Sequence, residues 1–419
     1  MNEKIVPVPE AVEIILKSVN PMPAERISLT EATGRVLCND VVAAIDIPYS
    51  DNSAMDGFAV RAKDTADATG PSPKTLRIVD DIPAGTAPKK IIGMNECAKI
   101  MTGGIMPQGA NAVVMVEFTE QTGKNLAIIK KGVREKENVR FKGEDIKAGS
   151  TVLKKGKIIR AQEVGLLAAI GRSSIMVHQR PRIAVLSTGN EIASIDEPIG
   201  SEKVFDSNSY ALFSAAKEAG GSPVQMGIVR DIESELTAKL EECLSFDIII
   251  TSGGVSVGEY DITKKILSAL GGEMKFSKVA IKPGKPFTFG LLNGIPFFGL
   301  PGNPASAFVS FEIFVRPAIL KMLGMKNRIK RTLHGTMGAD FKNKPGRTHF
   351  VRAYFSYSEN GEITVSPCGV QGSGIISSLA EANCLIMITP EKSDVKKGEM
   401  VEIIPMDNLH LLNDRSASK

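Results

Sequence analysis

Between residues 181 and 324, short β-branched apolar runs alternate with amphipathic helical stretches. Arg182–Leu186 is such a run and leads into STGNE. Asp206 and Ser207 then open a helical pattern with Tyr210, Phe213 and Ala216 on one face, closed by Gly220-Gly221. Val224–Val229 is a second strand candidate. Asp231 takes the N-cap position ahead of Ile232, Leu236, Leu240 and Leu244, which recur every four residues. Asp247–Thr251 supplies a third strand, and Thr263–Leu270 a short helix stopped by Gly271-Gly272. Phe287–Leu292 and Ile295–Leu300 flank Asn293-Gly294, a pair suited to a tight hairpin. Asn303-Pro304 opens a long amphipathic helix to Leu323, with a kink expected at Pro317. This alternation predicts a largely parallel, doubly covered sheet over 181–324. Such sheets bind ligands beyond the carboxyl ends of their strands. STGNE, TSGGVSVGEYD and GLPGNPAS all fall at those ends.

The flanks read differently. Residues 45–139 are rich in Gly, Pro and short β-like runs, which predicts a β-rich inserted domain. Residues 1–44 and 140–180 form one mixed domain around that insert, with a helix from Arg160 to Ile170 stopped by Gly171. Residues 325–405 carry short strands with turns at Asn360-Gly361 and Lys397-Gly398, as in a small β-barrel, and 406–419 form a tail. Four such units agree with the length, since 419 residues exceed what one core sustains.

Composition removes several classes of function. Lys+Arg of 51 against Asp+Glu of 47 leaves a net +4, too mild to imply nucleic acid or an anionic membrane. No apolar stretch reaches the roughly 18–20 residues of a membrane span. The N-terminal stretch has early acidic residues and reads as an amphipathic helix, not as a signal peptide. The 5 cysteines are scattered and without CxxC, which fits a reducing, cytoplasmic setting. The 4 histidines form no HExxH or His-x-His pair, so a His/Cys metal centre is not expected. Chemistry must then rest on carboxylates, lysines, arginines, hydroxyls and backbone N–H groups.

Three loops can supply it. In TSGGVSVGEYD, Gly253, Gly254 and Gly258 let backbone N–H groups approach an anion, Ser252 and Ser256 add hydroxyls, and Glu259 and Asp261 can hold Mg²⁺. No GK[ST] follows, so this is not a Walker A loop. IKPGKPF sets Lys282 and Lys285 in a stiff turn near Lys278, a basic site for an oxyanion. GLPGNPAS places Ser306 in the first turn of a helix, where free N–H groups attract anions. Taken singly, each also reads as an ordinary turn or cap. The same holds for Asp46, Asp51 and Asp56 in IDIPYSDNSAMDGFAV, for Thr102 in IMTGGIMPQGANAVV and for Asp145 in FKGEDIKAGS.

Together the strings DNSAMDGFAV, TGGIMPQGANAVV, KGEDIKAGS, RIAVLSTGNEI, SGGVSVGEYD, AIKPGKPF and GLPGNPAS resemble the molybdopterin molybdenumtransferase family, which includes bacterial MoeA and the E domain of gephyrin. The resemblance implies four domains and a homodimer. The third domain would have the molybdopterin-binding (MoaB/MogA-like) fold also used by the adenylylating enzyme of the preceding step. It implies Mg²⁺-dependent insertion of molybdate into adenylylated molybdopterin with release of AMP. The implied cleft lies between the third domain of one subunit and the second of the other.

Residues matching the family's functional positions are Asp56, Thr102, Asp145, Glu191, Asp231, Asp261, Lys278 and Lys282. Substrate contacts carried over with them are Gly253, Gly254, Val255, Ser256, Gly258, Pro301 and Asn303. Lys282, Lys285, Pro286, Ser306, Arg347 and Ser373 match the oxyanion pocket, and Asp231 and Asp261 the metal positions. Phe58 stands where many members carry Tyr, which removes a hydroxyl. Further partners on this reading are the molybdopterin adenylyltransferase and molybdoenzymes. Alternative readings are an adenylyltransferase on the same central fold, a scaffold, and tungstate as the oxyanion.

Overall fold

The computed structural model describes residues 5–254, 265–326 and 332–406. The first helix, α1 (Val8–Ser18), follows Pro7 and carries a second proline, Pro9, in its first turn, where a missing N–H costs no hydrogen bond. Val8, Ala11 and Ile15 recur at helical spacing and are buried. They join the core of the central domain beside Ile183, Phe314 and Ala318. The segments before and after the insert are sewn together by Ala24–Ser28, antiparallel to Ser174–His178. Leu37, Ile159, Leu167 and Val177 form a separate core there. The expected helix is present as α2 (Ala161–Ala169), and Gly171 at φ 76° follows its end.

The insert is a six-stranded sheet. Gly57–Val60 lies between Glu96–Ile100 and Ala112–Met115, antiparallel to both. Asp56-Gly57 is therefore a strand entry and not a simple turn. A Cβ at Gly57 would stand 1.9 Å from the Val114 carbonyl oxygen, so only glycine admits this pairing.

The central domain holds six strands: β1 (Arg182–Thr188), β2 (Ser222–Val229), β3 (Ile248–Ser252), β4 (Gly272–Lys278), β5 (Pro286–Leu292) and β6 (Ile295–Leu300). Their order is β2-β1-β3-β6-β5-β4. The first four are parallel. The β5–β6 hairpin and β4 add antiparallel pairs. Asn293 and Gly294, with φ 50° and 81°, make the hairpin turn. Alternate residues of the inner strands face opposite sides. Ile183, Val185, Ile248 and Ile250 enter one core with α3 (Ser207–Glu218), whereas Ala184, Leu186 and Ile249 enter another with α4 (Glu233–Cys243).

Two local expectations change. Helix α4 begins at Glu233 with Ile232 as its N-cap, so Asp231 lies one residue ahead of the capping position. Ile232 has the extended φ −111° and ψ 122° of a cap residue, and Asp231 is left in the turn before it. The run 304–322 is not one α-helix. It is α5 (Pro304–Ser310), a π-helical turn over Phe311–Val315, and α6 (Arg316–Met322). Pro317 has no N–H to return to the Ile313 carbonyl, and the widened turn absorbs that gap.

The C-terminal strands Leu333–Met337, Thr348–Tyr357, Ile363–Pro367, Cys384–Ile388 and Met400–Pro405 form a closed five-stranded barrel, completed by pairing of 348–357 with both 363–367 and 384–388. Phe350 and Leu385 reach from it into the central core. No helix of the described residues is long and apolar enough to cross a membrane.

Candidate active site

The carboxyl ends of β1, β3 and β6 open onto a cleft of about 600 Å³. Strand β3 runs into Gly253 and Gly254, at φ 93° and 65°, and both line it. A Cβ on Gly253 would fall 2.2 Å from the Thr188 carbonyl oxygen, so its absence lets the ends of β1 and β3 lie together. The Gly253 N–H donates to the Leu300 carbonyl at 3.1 Å, which ties in β6. Val255, Ser256, Gly258, Glu259 and Asp261 lie outside the described residues.

Two polar links, the first of them buried, fix the remaining walls. Asp206 caps α3 by accepting the Ser209 N–H at 3.0 Å, and the same oxygen accepts the Ser187 hydroxyl at 2.8 Å. Asn208 donates to Ser252 Oγ at 2.8 Å and to the Gly302 carbonyl at 2.7 Å, which staples β3 to the loop before α5. Pro301 and Asn303 line the cleft from that loop. Asn303 holds the N-cap position of α5, but its side chain makes no capping bond. Ser306 is buried in the first turn, and the Ser373 carbonyl accepts the Ala305 N–H at 3.0 Å. Glu191 is an exposed acid that also lines the cleft.

The basic turn sits at the seam with the barrel. Ile281–Lys282 pairs in parallel with Thr348–His349. Lys282 is half-buried, and no carboxylate lies within ion-pair distance of it among the described residues. Loss of water, then the charges of Arg347 and Lys344, hold its pKa below the usual lysine range. Arg347 donates to the Ile281 carbonyl at 3.4 Å. A Cβ at Gly284 would meet Ser310 Oγ at 2.6 Å, so the turn rests directly on α5. Pro286 continues into the cleft, and Lys285 is exposed beside it.

His349 is buried behind Lys282. Asn343 donates through Nδ2 to the Lys392 carbonyl at 2.8 Å, so its Oδ1 must accept the His349 Nδ1–H at 2.9 Å. Burial, then Lys282, Arg352 and Arg347, push the His349 pKa down to about 3, and the ring is neutral at ordinary pH.

The remaining candidates lie elsewhere on the chain. Asp56 accepts the Thr102 N–H at 2.6 Å and the Thr102 hydroxyl at 2.8 Å. These two bonds, the backbone one first, hold the Asp56 carboxyl below its usual range. Asp145 is exposed in a turn whose N–H bonds the Ile47 carbonyl at 3.1 Å. Lys278 ends β4, where its carbonyl accepts the Val6 N–H at 3.0 Å. Asp231 is half-buried just past β2. None of these five lines the cleft. Among the described residues, no three His, Cys, Asp or Glu side chains are grouped to hold a metal ion. Thr188, Asp206 and Asn208 also belong to the cleft; Thr188 lies within STGNE but is not singled out by it, and Asp206 and Asn208 carry no motif. Only the helix-capping pattern marked Asp206 in advance.

A glycine turn over parallel strand ends, with a basic turn beside it that has no carboxylate partner among the described residues, defines an α/β protein with a cleft suited to an anionic small molecule. Family models agree with that class and narrow it. Residues 6–171 match the MoeA N-terminal region (domain I and II), 184–321 a "Probable molybdopterin binding domain", and 334–406 the MoeA C-terminal region (domain IV). The molybdopterin molybdenumtransferase of Staphylococcus aureus (strain COL) is 35% identical over 403 residues, covering 95% of each chain. That of Bacillus subtilis is 34% identical over 410 residues, covering 96% of this chain and 95% of the other. A crystal structure of a molybdopterin biosynthesis MoeA protein from Pyrococcus horikoshii aligns with a TM-score of 0.84 at 31% identity, covering 97% of this chain and all of the other. The chain belongs to the molybdopterin molybdenumtransferase family, a family of transferase enzymes.

Proposed function

We propose that the chain completes the molybdenum cofactor by inserting molybdate into adenylylated molybdopterin, releasing AMP, and that it does so as a homodimer. The observation that carries this reading is the pairing of two unlike sites. A cleft bordered by glycine backbone and hydroxyls adjoins a seam where Lys282, Arg347 and Lys344 gather without a carboxylate partner for Lys282 among the described residues. A tetrahedral dianion requires such a donor set, and acids belong away from it.

In this reading Lys282 and Arg347 hold the oxyanion, while Ser306 and Lys285 complete its pocket. Gly253, Gly254 and Asn303 position the pterin and its phosphate. Mg²⁺ is expected at the phosphate, held by Asp231 and Asp261. A single half-buried carboxylate at a strand end suits it, because Mg²⁺ usually takes one or two protein carboxylates and fills its other positions with phosphate and water. Bound there, it would supply charge neutralisation for the phosphate. The protein's own part is positioning and fixed electrostatics. Asp56, bonded to Thr102, and Asp145 act from the insert side on the cleft of the partner subunit. The exposure of the Asp56–Thr102 pair supports that role.

The test is incubation of the purified protein with adenylylated molybdopterin, Mg²⁺ and molybdate or tungstate, following AMP and metal incorporation. AMP release that depends on the oxyanion and falls at least about tenfold in Arg347→Ala supports the reading. Oxyanion-independent release refutes it. A second measurement, sedimentation, decides the dimer.

A further inference from the structure

Thr188 ends β1 on the wall of the cleft. The residue is 3% exposed, and its Oγ1 has no hydrogen-bond partner among the described residues. Native proteins seldom bury a hydroxyl unpaired, because its lost hydration is not replaced.

Its surroundings define what can satisfy it. A Cβ on Gly253 would stand 3.1 Å from Thr188 Oγ1, so on that side the hydroxyl meets only backbone. The Glu191 carboxylate folds back over Gly189, the next residue. A Cβ there would lie 2.8 and 2.9 Å from its two oxygens. Asp206 lines the same space. Among the described residues no lysine or arginine does, and the cations are gathered around Lys282. An anionic group at Thr188 would therefore face two carboxylates without a counter-charge. A neutral group bearing adjacent N–H donors and a carbonyl finds complementary partners.

We infer that Thr188 and Glu191 form a subsite for the amino–amide edge of the pterin ring, which directs the substrate's anionic end toward Lys282. The Glu191 carboxylate accepts from the ring amino group and the neighbouring ring N–H, and the Thr188 hydroxyl donates to the ring carbonyl. This rests on the reading that the pterin occupies the cleft.

Thr188→Val keeps the shape of the side chain and removes the hydroxyl. The measurements are the melting temperature, binding of free pterin followed by its fluorescence, and binding of AMP. We expect a melting temperature unchanged or raised, pterin affinity reduced about tenfold, and AMP affinity unchanged. Glu191→Gln is expected to weaken pterin in the same way. A lower melting temperature would mean that the hydroxyl already has a protein partner, and it overturns the proposal. Unchanged pterin affinity overturns it as well, as does a loss that falls on AMP. If the wild-type protein binds no pterin, the cleft reading itself fails and the subsite with it.

Discussion

Replacing Gly253 by alanine separates two costs that usually arrive together. The backbone there has φ 93°, and the new Cβ would lie 2.2 Å from the Thr188 carbonyl oxygen, where ordinary contact starts at 3.4 Å. The ends of β1 and β3 must part by about 1 Å to admit it. The left-handed backbone adds about 1–2 kcal/mol. Gly294 provides the control. It has φ 81° in the β5–β6 turn and nothing within 4 Å of a Cβ, so Gly294→Ala carries the conformational cost alone. In steady-state AMP release, Gly294→Ala should stay within about threefold of wild type, while a shift of about 1 Å at the cleft should slow Gly253→Ala about a hundredfold. Each variant should melt several degrees lower, Gly253→Ala more so. If Gly253→Ala turned over and melted like Gly294→Ala, the close approach of β1 and β3 would not shape the site.

Three further outcomes test other parts of the molecule. Thr102→Val removes the hydroxyl bond to Asp56 and keeps the backbone one, so an NMR titration should place the Asp56 pKa between its present depressed value and the ordinary one. The stability that this carboxylate contributes is present above its unfolded pKa and is lost as pH falls through the folded one, and the variant should lose it at a higher pH. Arg316 binds both oxygens of the buried Glu312, at 2.9, 2.9 and 2.6 Å. Arg316→Met should cost about 3–5 kcal/mol by denaturation, and adding Glu312→Leu should recover most of it; a double variant no better than the single one contradicts this account. His349 stays neutral down to about 3 when folded, whereas the unfolded imidazole takes a proton near the ordinary 6.5. Stability should thus decline as pH falls through that window. His349→Gln should flatten the decline in melting temperature measured from pH 7 to 4.

The central domain was legible because its signals are local. Alternating strands and helices, the Asp206 cap and the Asn293-Gly294 turn each occupy a few adjacent residues. Glycine and motif order likewise marked the cleft loops at 253–254 and 301–303. What was not legible depends on distant pairing. Only the family resemblance joins Lys282 to Arg347; no local pattern does, because Arg347 reaches the lysine through the two-residue pairing with Thr348–His349. The parallel pair of Lys74–Ile82 with Glu96–Ile100 in the insert is equally silent. So is the use of α1 to close the central core. Thr188 looks like an ordinary strand end, because an unpaired hydroxyl becomes apparent only when every neighbour is placed. The Asp231 cap was misread by one residue, since an aspartate before a helix is usually the cap and here an isoleucine takes the extended geometry.

The strand pairing at Ile281–Lys282 has a mechanical consequence. Thr348 donates its N–H to the Ala280 carbonyl at 3.0 Å, and Ala280 in turn donates to the Val6 carbonyl at 2.8 Å. Three stretches of chain, from the beginning, the middle and the end, are thereby laced at one short rung. Lys282 cannot move with one domain alone. Any rocking of the barrel against the central sheet pulls on the lysine and carries Arg347 with it. The barrel is accordingly not a detachable accessory: a truncation ahead of residue 334 would take away Arg347, half of the proposed anion clamp, and unlace Lys282, the other half.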